Sequence, residues 1–167
     1  MTSIVVMGVA GSGKSSLARE LAQAEGLRVI EGDDFHSEAS RAKMSQGVAL
    51  TDADREGWLD ILARQLRVHP EGLVLTCSAL KRAYRERLRS ATPGLRFVFL
   101  EISRDKAQER VAARAATHFF SASLVDSQFA TLEPPDGEPG VLRVDALAPL
   151  SQLQQQVAAW LHPRGRE

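Results

Sequence analysis

An eight-residue stretch near the start of the chain has the spacing of a phosphate-binding loop. Residues 8–15 read GVAGSGKS and match the pattern G-x-x-x-x-G-K-[ST]. In such a loop the glycines let successive backbone N–H groups turn toward phosphate oxygens, and the following helix points its positive dipole end at the same anion. The lysine reaches the β- and γ-phosphates, and the final hydroxyl ligates Mg²⁺. The pattern therefore predicts a site for ATP with Mg²⁺.

The residues of this predicted nucleotide site are almost contiguous. Lys14 is the expected catalytic cation, and Ser15 is the expected magnesium ligand. The predicted nucleotide-binding residues are Gly8, Val9, Ala10, Gly11, Ser12, Gly13, Lys14, Ser15 and Ser16, together with Arg110 from a later helix. A phosphate loop identifies a nucleotide but not a reaction. Because the chain lacks the N-K-x-D sequence by which switch GTPases read guanine, a small-molecule kinase is favoured.

The segments around the loop predict a sheet with helices on both sides. Short apolar runs, predicted as strands, occur at 4–7, 28–30, 73–77, 97–100 and 141–144. Amphipathic stretches, predicted as helices, occur at 14–24, 55–68, 81–88, 105–113 and 150–161. Strands that are apolar nearly throughout are typical of a parallel sheet covered on both faces. Ligands of such sheets bind beyond the carboxyl ends of the strands, so the residues that follow each strand are candidates. Segments 37–54 and 115–140 fit the alternation poorly.

Composition excludes several classes of protein. The chain has 167 residues, the size of one domain, with 44% hydrophobic residues. Its 21 basic and 21 acidic residues give a net charge of zero, which argues against a general nucleic-acid binder. No apolar run approaches the roughly 20 residues that cross a bilayer, so we expect no membrane partner and a cytoplasmic location. Cys77 is the single cysteine, in an apolar strand, and is predicted to be a buried core thiol.

Several further blocks accompany the phosphate loop. They read EGDDFH at 31–36, LTDADR at 50–55, CSALKRAYR at 77–85, HFF at 118–120 and SQFATLE at 127–133. In order and spacing, from the first strand to the last helix, the chain closely resembles the bacterial thermoresistant gluconokinase family. The Cys-Ser-Ala-Leu-Lys and His-Phe-Phe stretches are more particular to that family than the phosphate loop is.

The resemblance implies both an activity and a fold. The activity is phosphorylation of the terminal hydroxyl of D-gluconate by ATP, which gives 6-phospho-D-gluconate and ADP. The fold is an α/β, three-layer P-loop kinase fold of the nucleoside-monophosphate-kinase type. Its five-stranded parallel sheet would carry helices on both faces and a small lid, at approximately 115–135, within a single domain spanning residues 1–167. A homodimer is also implied.

The resemblance assigns roles to three residues after the second strand. Asp33 is expected to bind the reacting hydroxyl of gluconate and to accept its proton. His36 is expected to hydrogen-bond another hydroxyl of the sugar acid. Glu31 stands where the family usually has aspartate, and we expect it to hold the magnesium shell through water. The structural alternatives are a turn or capping aspartate and a surface histidine.

Two pairs of basic residues complete the predicted site. Lys81 and Arg85 are four residues apart on a predicted helix face, where they would bind the carboxylate of gluconate. Arg110 and Arg114 share another face at the base of the predicted lid. Positive charge there would stabilise the transferring phosphoryl group, so Arg114 is a candidate catalytic residue. The alternative for both pairs is a solvated basic helix face.

Some features receive a structural interpretation, and other functions stay open. The 50–55 block is interpreted as a helix start, with Thr51 or Asp52 as the cap. Trp58 is interpreted as a packing residue, and Gln128 is left outside the predicted site. One alternative function is another small-molecule kinase of the same fold, acting on shikimate or a nucleotide. A second is a nucleotide-binding module without catalysis, against which the intact Lys14, Ser15 and Asp33 weigh.

Overall fold

Five parallel strands form one sheet in the computed structural model, which describes residues 2–114 and 122–163. The strands are β1 Ile4–Met7, β2 Arg28–Glu31, β3 Leu73–Thr76, β4 Arg96–Glu101 and β5 Val141–Asp145. Their order across the sheet is β2-β3-β1-β4-β5, and every neighbouring pair is parallel. The predicted α/β fold with a five-stranded parallel sheet is therefore confirmed.

The helices of the described residues lie in the connections between the strands, except for the last one, which follows β5. They are α1 Lys14–Glu25, α2 Glu38–Ser45, α3 Asp52–Val68, α4 Arg82–Arg89, α5 Arg104–Ala113, α6 Ala122–Thr131 and α7 Leu150–Leu161, with a 3₁₀ turn at Gly32–Phe35. All four residues of β1 are at most 1% exposed. Because successive side chains of a strand point to opposite faces, helices must cover both faces of the sheet.

Segment 37–54, predicted as irregular, contains a helix and the start of another. Ser37 caps α2, since its hydroxyl accepts a hydrogen bond from the Ser40 amide at 3.1 Å. Only Ser40 and Met44 of this short helix are buried, so the sequence shows almost no hydrophobic period there. Thr51 caps α3 through a capping box with Asp54, which confirms the predicted cap.

The predicted lid is described only in part. Helix α6 falls inside the range 115–135, whereas residues 115–121, including His118, Phe119 and Phe120, lie outside the described residues. The lid and the single-domain organisation stay predictions. None of the helices found within 2–114 and 122–163 is both long and apolar enough to cross a membrane.

Candidate active site

The loop between β1 and α1 has the backbone of a phosphate cradle. Gly11 and Gly13 have φ angles of 84° and 93°, a left-handed conformation that glycine adopts without strain. A Cβ on Gly11 would also lie 2.8 Å from the carbonyl oxygen of Ala107, because α5 packs directly on the loop. Helix α1 begins at Lys14, so its amino terminus faces the loop. The loop can therefore present backbone N–H groups to an anion.

Lys14 is held across the loop by backbone carbonyls. Its Nζ donates hydrogen bonds to the oxygens of Gly8 at 3.0 Å and Val9 at 3.1 Å. Removal from water lowers the pKa of Lys14, although the negative charge of Asp33 opposes this shift. The ammonium group is thus fixed in position beside the cavity that it lines.

Oxygen ligands suited to Mg²⁺ meet at the start of α1. The hydroxyl of Ser15 donates to Glu31 Oε2 at 3.0 Å, and the hydroxyl of Thr76 donates to the same oxygen at 2.6 Å. Mg²⁺ prefers such oxygen ligands and usually completes its shell with phosphate oxygens and water. Within 2–114 and 122–163 no cluster of three or more His, Cys, Asp or Glu could hold a metal alone. Ser15 and Glu31 therefore fit a Mg²⁺ that arrives with the nucleotide.

A cavity of about 180 Å³ extends from the phosphate loop toward the carboxyl ends of β2 and β3. Its lining includes the charged side chains of Lys14, Glu31, Asp33, Arg55 and Arg114 and the ring of His36. Apolar side chains of Met44, Leu50 and Leu124 line it as well. The cavity therefore joins the nucleotide loop to a second compartment that offers both charge and hydrogen-bonding groups.

Asp33 and His36 form one unit in this second compartment. The Nε2 atom of His36 lies 3.3 Å from Asp33 Oδ1, and the His36 ring stacks on Trp58 with centroids 4.3 Å apart. Trp58 is anchored in turn, because its Nε1 donates to the Gly32 carbonyl at 2.7 Å. Desolvation raises the pKa of Asp33, but the His36 hydrogen bond and the charge of Lys14 outweigh it, so the pKa is lowered. Asp33 is therefore ionised at neutral pH.

Gly32 allows β2 to approach β3 closely at this point. A Cβ at Gly32 would lie 2.2 Å from the carbonyl oxygen of Thr76, so no other residue fits without a backbone shift. The amide of Gly32 also donates to the Thr76 hydroxyl at 3.2 Å. This contact fixes where β2 ends, and hence where Asp33 enters the cavity.

Arg55 is a site residue that the sequence analysis missed. It lies in the first turn of α3, is 9% exposed and lines the cavity. The 50–55 block was interpreted only as a helix start, which is correct for Thr51 but incomplete for Arg55. A signal was present, because Arg55 falls in register with Leu59, Leu62 and Leu66 on the buried face of the helix.

Arg110 and Arg114 lie on the nucleotide side. Arg110 Nη1 donates to the Gly11 carbonyl at 3.1 Å, and its Nη2 donates to the Ala146 carbonyl at 3.1 Å. A second cavity, of about 460 Å³, lies beside this bridge, and both Arg110 and Arg114 line it. Arg114 also lines the first cavity, so its side chain borders both cavities.

Comparison with known proteins identifies the family. A family model described as an AAA domain matches residues 4–135. A gluconokinase from Gluconobacter oxydans (strain 621H) is 46% identical over 144 residues, covering 84% of this chain and 80% of the relative. The chain belongs to the gluconokinase family. The thermoresistant gluconokinase of Escherichia coli (strain K12) is 39% identical over 150 residues, covering 87% of this chain and 85% of the relative.

Solved structures agree with this assignment. The crystal structure of a gluconokinase from Sinorhizobium meliloti 1021 has a TM-score of 0.87 and 45% identity, and the match covers 96% of this chain and 91% of that one. The resemblance read from the motifs is confirmed, and the chain is an enzyme, a P-loop kinase of the gluconokinase family.

For this gluconokinase-family chain, the structure contradicts the prediction that Arg85 binds substrate. Arg85 is fully buried, and its Nε and Nη2 donate to the two carboxylate oxygens of Glu138 at 2.9 and 2.6 Å. Its Nη1 donates at 2.7 Å to the carbonyl of Ala79, a residue with a left-handed φ of 48°. Every nitrogen of the guanidinium group is engaged, so Arg85 stabilises the turn after β3 and cannot reach a ligand.

Lys81 is also separated from the cavity lining. It precedes α4 as the N-cap residue with an extended backbone, so it does not share a helix face with Arg85 as the spacing predicted. Its Nζ lies 3.0 Å from Asp52 Oδ1. The pair joins the starts of α3 and α4, and direct contact between Lys81 and substrate stays an untested prediction.

Gln128 is a second residue that the sequence analysis left out. Its Oε1 accepts a hydrogen bond from the Ala10 amide at 2.7 Å, and it lines the first cavity. This bond joins α6 to the tip of the phosphate loop, across 118 residues of sequence. The signal for Gln128 was its place in the 127–133 block, but the contact with Ala10 follows only from the packing.

Cys77 takes no part in the chemistry of the site. It is buried, and burial raises the pKa of its thiol to about 12. A thiol that stays protonated is a poor nucleophile. The prediction of a buried core thiol is confirmed.

Proposed function

We propose that the chain transfers the γ-phosphoryl group of ATP to the terminal hydroxyl of D-gluconate, forming 6-phospho-D-gluconate and ADP. The observation that supports the proposal is the first cavity, which is lined both by Lys14 and other phosphate-loop residues (the loop end) and by Asp33, His36 and Arg55 (the acceptor end, or acceptor compartment). Membership of the gluconokinase family supports the choice of substrate.

The nucleotide would lie along the phosphate loop. Backbone amides of residues 8–16 would bind the phosphates, and the second cavity beside Arg110 has room for the base and ribose. Ser15 and Glu31 would hold Mg²⁺, Glu31 through water, and the metal would neutralise charge on the phosphates. Lys14 and Arg114, which both line the first cavity, would stabilise the transferring phosphoryl group.

Asp33 would orient the acceptor hydroxyl. An ionised carboxylate accepts a hydrogen bond from the terminal hydroxyl of gluconate and takes its proton as the new O–P bond forms. The lowered pKa of Asp33 keeps the carboxylate ionised at neutral pH. The low basicity suits a loose transition state, in which little bond to the attacking oxygen has formed and the hydroxyl loses its proton late.

His36 would accept a hydrogen bond from a different hydroxyl. A carboxylate only accepts hydrogen bonds, so the His36 Nε2 beside Asp33 carries a proton, and in the neutral ring Nδ1 has a free lone pair. The Nδ1 atom is buried and has no partner among the described residues. A hydroxyl of the sugar acid would satisfy it.

Arg55 would bind the carboxylate of gluconate. Lys14 belongs to the loop and Arg114 also lines the second cavity, so among the described lining residues Arg55 is the cation that we assign to the acceptor compartment. A planar guanidinium group can pair with both carboxylate oxygens. Arg55 would take the role that was predicted for Lys81 and Arg85.

A homodimer in the cytoplasm is part of the same proposal. The homodimer is supported by the family resemblance alone. Size-exclusion chromatography with light scattering would test the homodimer, with the mass of a monomer as the contrary result.

A panel of acceptors tests the function. ADP release would be measured with Mg²⁺, ATP and either D-gluconate, other sugar acids, shikimate or AMP, and the product would be identified by ³¹P NMR. We expect release with D-gluconate and a phosphorus signal coupled to the protons on C6. Turnover of shikimate or AMP instead would favour another kinase of this fold, and ATP binding without any turnover would favour a non-catalytic module.

The variant Asp33→Asn separates binding from catalysis in the same assay. We expect it to keep affinity for ATP but to lose turnover, because asparagine cannot accept the proton. Full turnover by this variant would contradict the role of Asp33.

A further inference from the structure

Tyr84 lies between a buried cation and a carboxylate. Arg55 Nη1 donates to the Tyr84 hydroxyl at 3.3 Å, and that hydroxyl donates in turn to Asp52 Oδ1. Tyr84 is 6% exposed, and the guanidinium carbon of Arg55 lies 5.6 Å from the centre of its ring. The Nζ atom of Lys81 donates hydrogen bonds to both carboxylate oxygens of Asp52, at 3.0 and 3.1 Å.

The protonation states fit one direction of hydrogen bonding. Desolvation, followed by the bond to Asp52, raises the pKa of Tyr84, so the phenol keeps its proton. The hydrogen bonds from Tyr84 and Lys81 lower the pKa of Asp52, which therefore stays ionised. The hydroxyl can thus accept from Arg55 while it donates to Asp52.

These contacts connect the first turns of two helices. Arg55 and Asp52 are three residues apart in α3, whose start is fixed by the capping box at Thr51. Tyr84 lies in the first turn of α4, and Lys81 is the N-cap residue of that helix. The Lys81–Asp52 pair is partly exposed, with 31% and 67% of the side chains accessible, so alone it contributes little to stability.

We propose that Tyr84, Asp52 and Lys81 are positioning residues that fix the guanidinium group of Arg55 for the carboxylate of the substrate. The inference rests on the proposed function. Arg55 shares its cavity with the carboxylates of Asp33 and Glu31, either of which could attract it. The hydroxyl of Tyr84 instead fixes its Nη1 atom by a hydrogen bond, and preorganisation of this kind raises affinity for the anion. Lys81 thereby acts on gluconate binding through other residues.

The central test is Tyr84→Phe, which removes one hydroxyl and keeps the ring. We expect the KM for D-gluconate to rise about tenfold, as for the loss of one hydrogen bond to a charged group. The kcat and the KM for ATP should change by less than about twofold, because the affected contact is uniform binding. In an Arg55→Gln background, Tyr84→Phe should have no further effect, because the group that it positions is gone.

A matched pair of lysines provides the control. Lys81 and Lys43 each pair with an aspartate in the first turn of α3, Asp52 and Asp54 respectively. We expect Lys81→Met to raise the KM for D-gluconate about threefold, a fraction of one hydrogen bond. Lys43→Met should leave that KM unchanged, because Asp54 is not bonded to Tyr84.

The outcomes separate this inference from the proposed function. An unchanged KM in Tyr84→Phe, an equal effect of the two lysine variants, or a full tenfold effect that persists without Arg55 would each overturn the inference while D-gluconate remains the substrate. Absence of D-gluconate turnover by the wild type would instead remove the proposed function. If Tyr84→Phe does not fold, the variant Asp52→Asn replaces it in this test, together with Lys81→Met and Lys43→Met. We expect Asp52→Asn to raise the KM for D-gluconate about tenfold as well.

Discussion

The phosphate-loop end and the acceptor end of the cavity are built in different ways. At the loop end, the predicted contacts come from consecutive residues 8–16, and much of the binding is by backbone amides. At the acceptor end, Asp33 and His36 come from the turn after β2 and Arg55 comes from α3, and all three would act through side chains. A site made of backbone amides can be recognised from a local sequence pattern. A site made of side chains depends on how elements that are distant in sequence pack together.

Helix α4 shows the same contrast on a smaller scale. Lys81 and Arg85 are four residues apart, yet one joins a partly exposed pair with Asp52 and the other is fully buried against Glu138. Both are basic, and both lie in a block shared with the gluconokinases. Residue type and spacing alone did not distinguish a residue near the acceptor end from one that holds the scaffold.

The largest expected effect tests whether Arg85 belongs to the scaffold. Arg85→Ala leaves Glu138 buried without its main partner, so the free energy of unfolding should fall by about 3–5 kcal/mol. Urea denaturation measures this. Arg82→Ala, on the same helix but with a 61% exposed side chain, is the control and should shift the midpoint little. If Arg85→Ala keeps wild-type stability but raises the KM for D-gluconate, the acceptor end includes Arg85 after all.

The next prediction tests the loop end. Lys14→Ala removes the cation fixed by Gly8 and Val9, so kcat should fall by about a hundredfold or more, as for other donors that stabilise transition-state charge. Steady-state kinetics with saturating D-gluconate measure it. Lys106→Ala, an exposed lysine on α5, should retain normal kcat. Near-normal turnover in Lys14→Ala would contradict the assignment of the loop.

A smaller effect, of a different kinetic kind, is expected at the acceptor end. Arg55→Gln should raise the KM for D-gluconate by about 10- to 100-fold, the range for lost hydrogen bonds to a charged group. The KM for ATP should be unchanged, because the side chain of Arg55 is hydrogen-bonded to Tyr84 and not to the phosphate loop. Arg64→Gln, an exposed arginine on the same helix, serves as the control. Equal rises in both KM values would remove the distinction between the two ends.

The smallest effect concerns the start of α3, which carries Arg55. Hydrogen bonds from Lys43 and the Thr51 amide lower the pKa of Asp54 to about 2. Because its folded pKa lies below the ordinary value, the stability that Asp54 contributes is complete above about pH 4 and is lost as the pH falls toward 2. The difference in urea midpoint between wild type and Asp54→Asn should therefore shrink from about pH 6 to about pH 3. A constant difference would contradict this role.

Prediction from sequence succeeded where the signal was local. β1 was predicted with its observed bounds, Ile4–Met7, and α7 with Leu150–Leu161, because both have a clear apolar pattern. α2 was missed because only two of its residues are buried. Gln128 was left out because its partner, the Ala10 amide, is remote in sequence and its role follows from packing of α6 on the loop.

The sequence by itself determined the phosphate loop, the parallel sheet and the family, because glycine spacing, apolar runs and ordered blocks are properties of neighbouring residues. Only the tertiary structure decided which basic side chain faces the acceptor compartment. A guanidinium group is directed by its partners, and these come from other elements. Glu138 lies 53 residues from Arg85 in sequence, and Tyr84 lies 29 residues from Arg55.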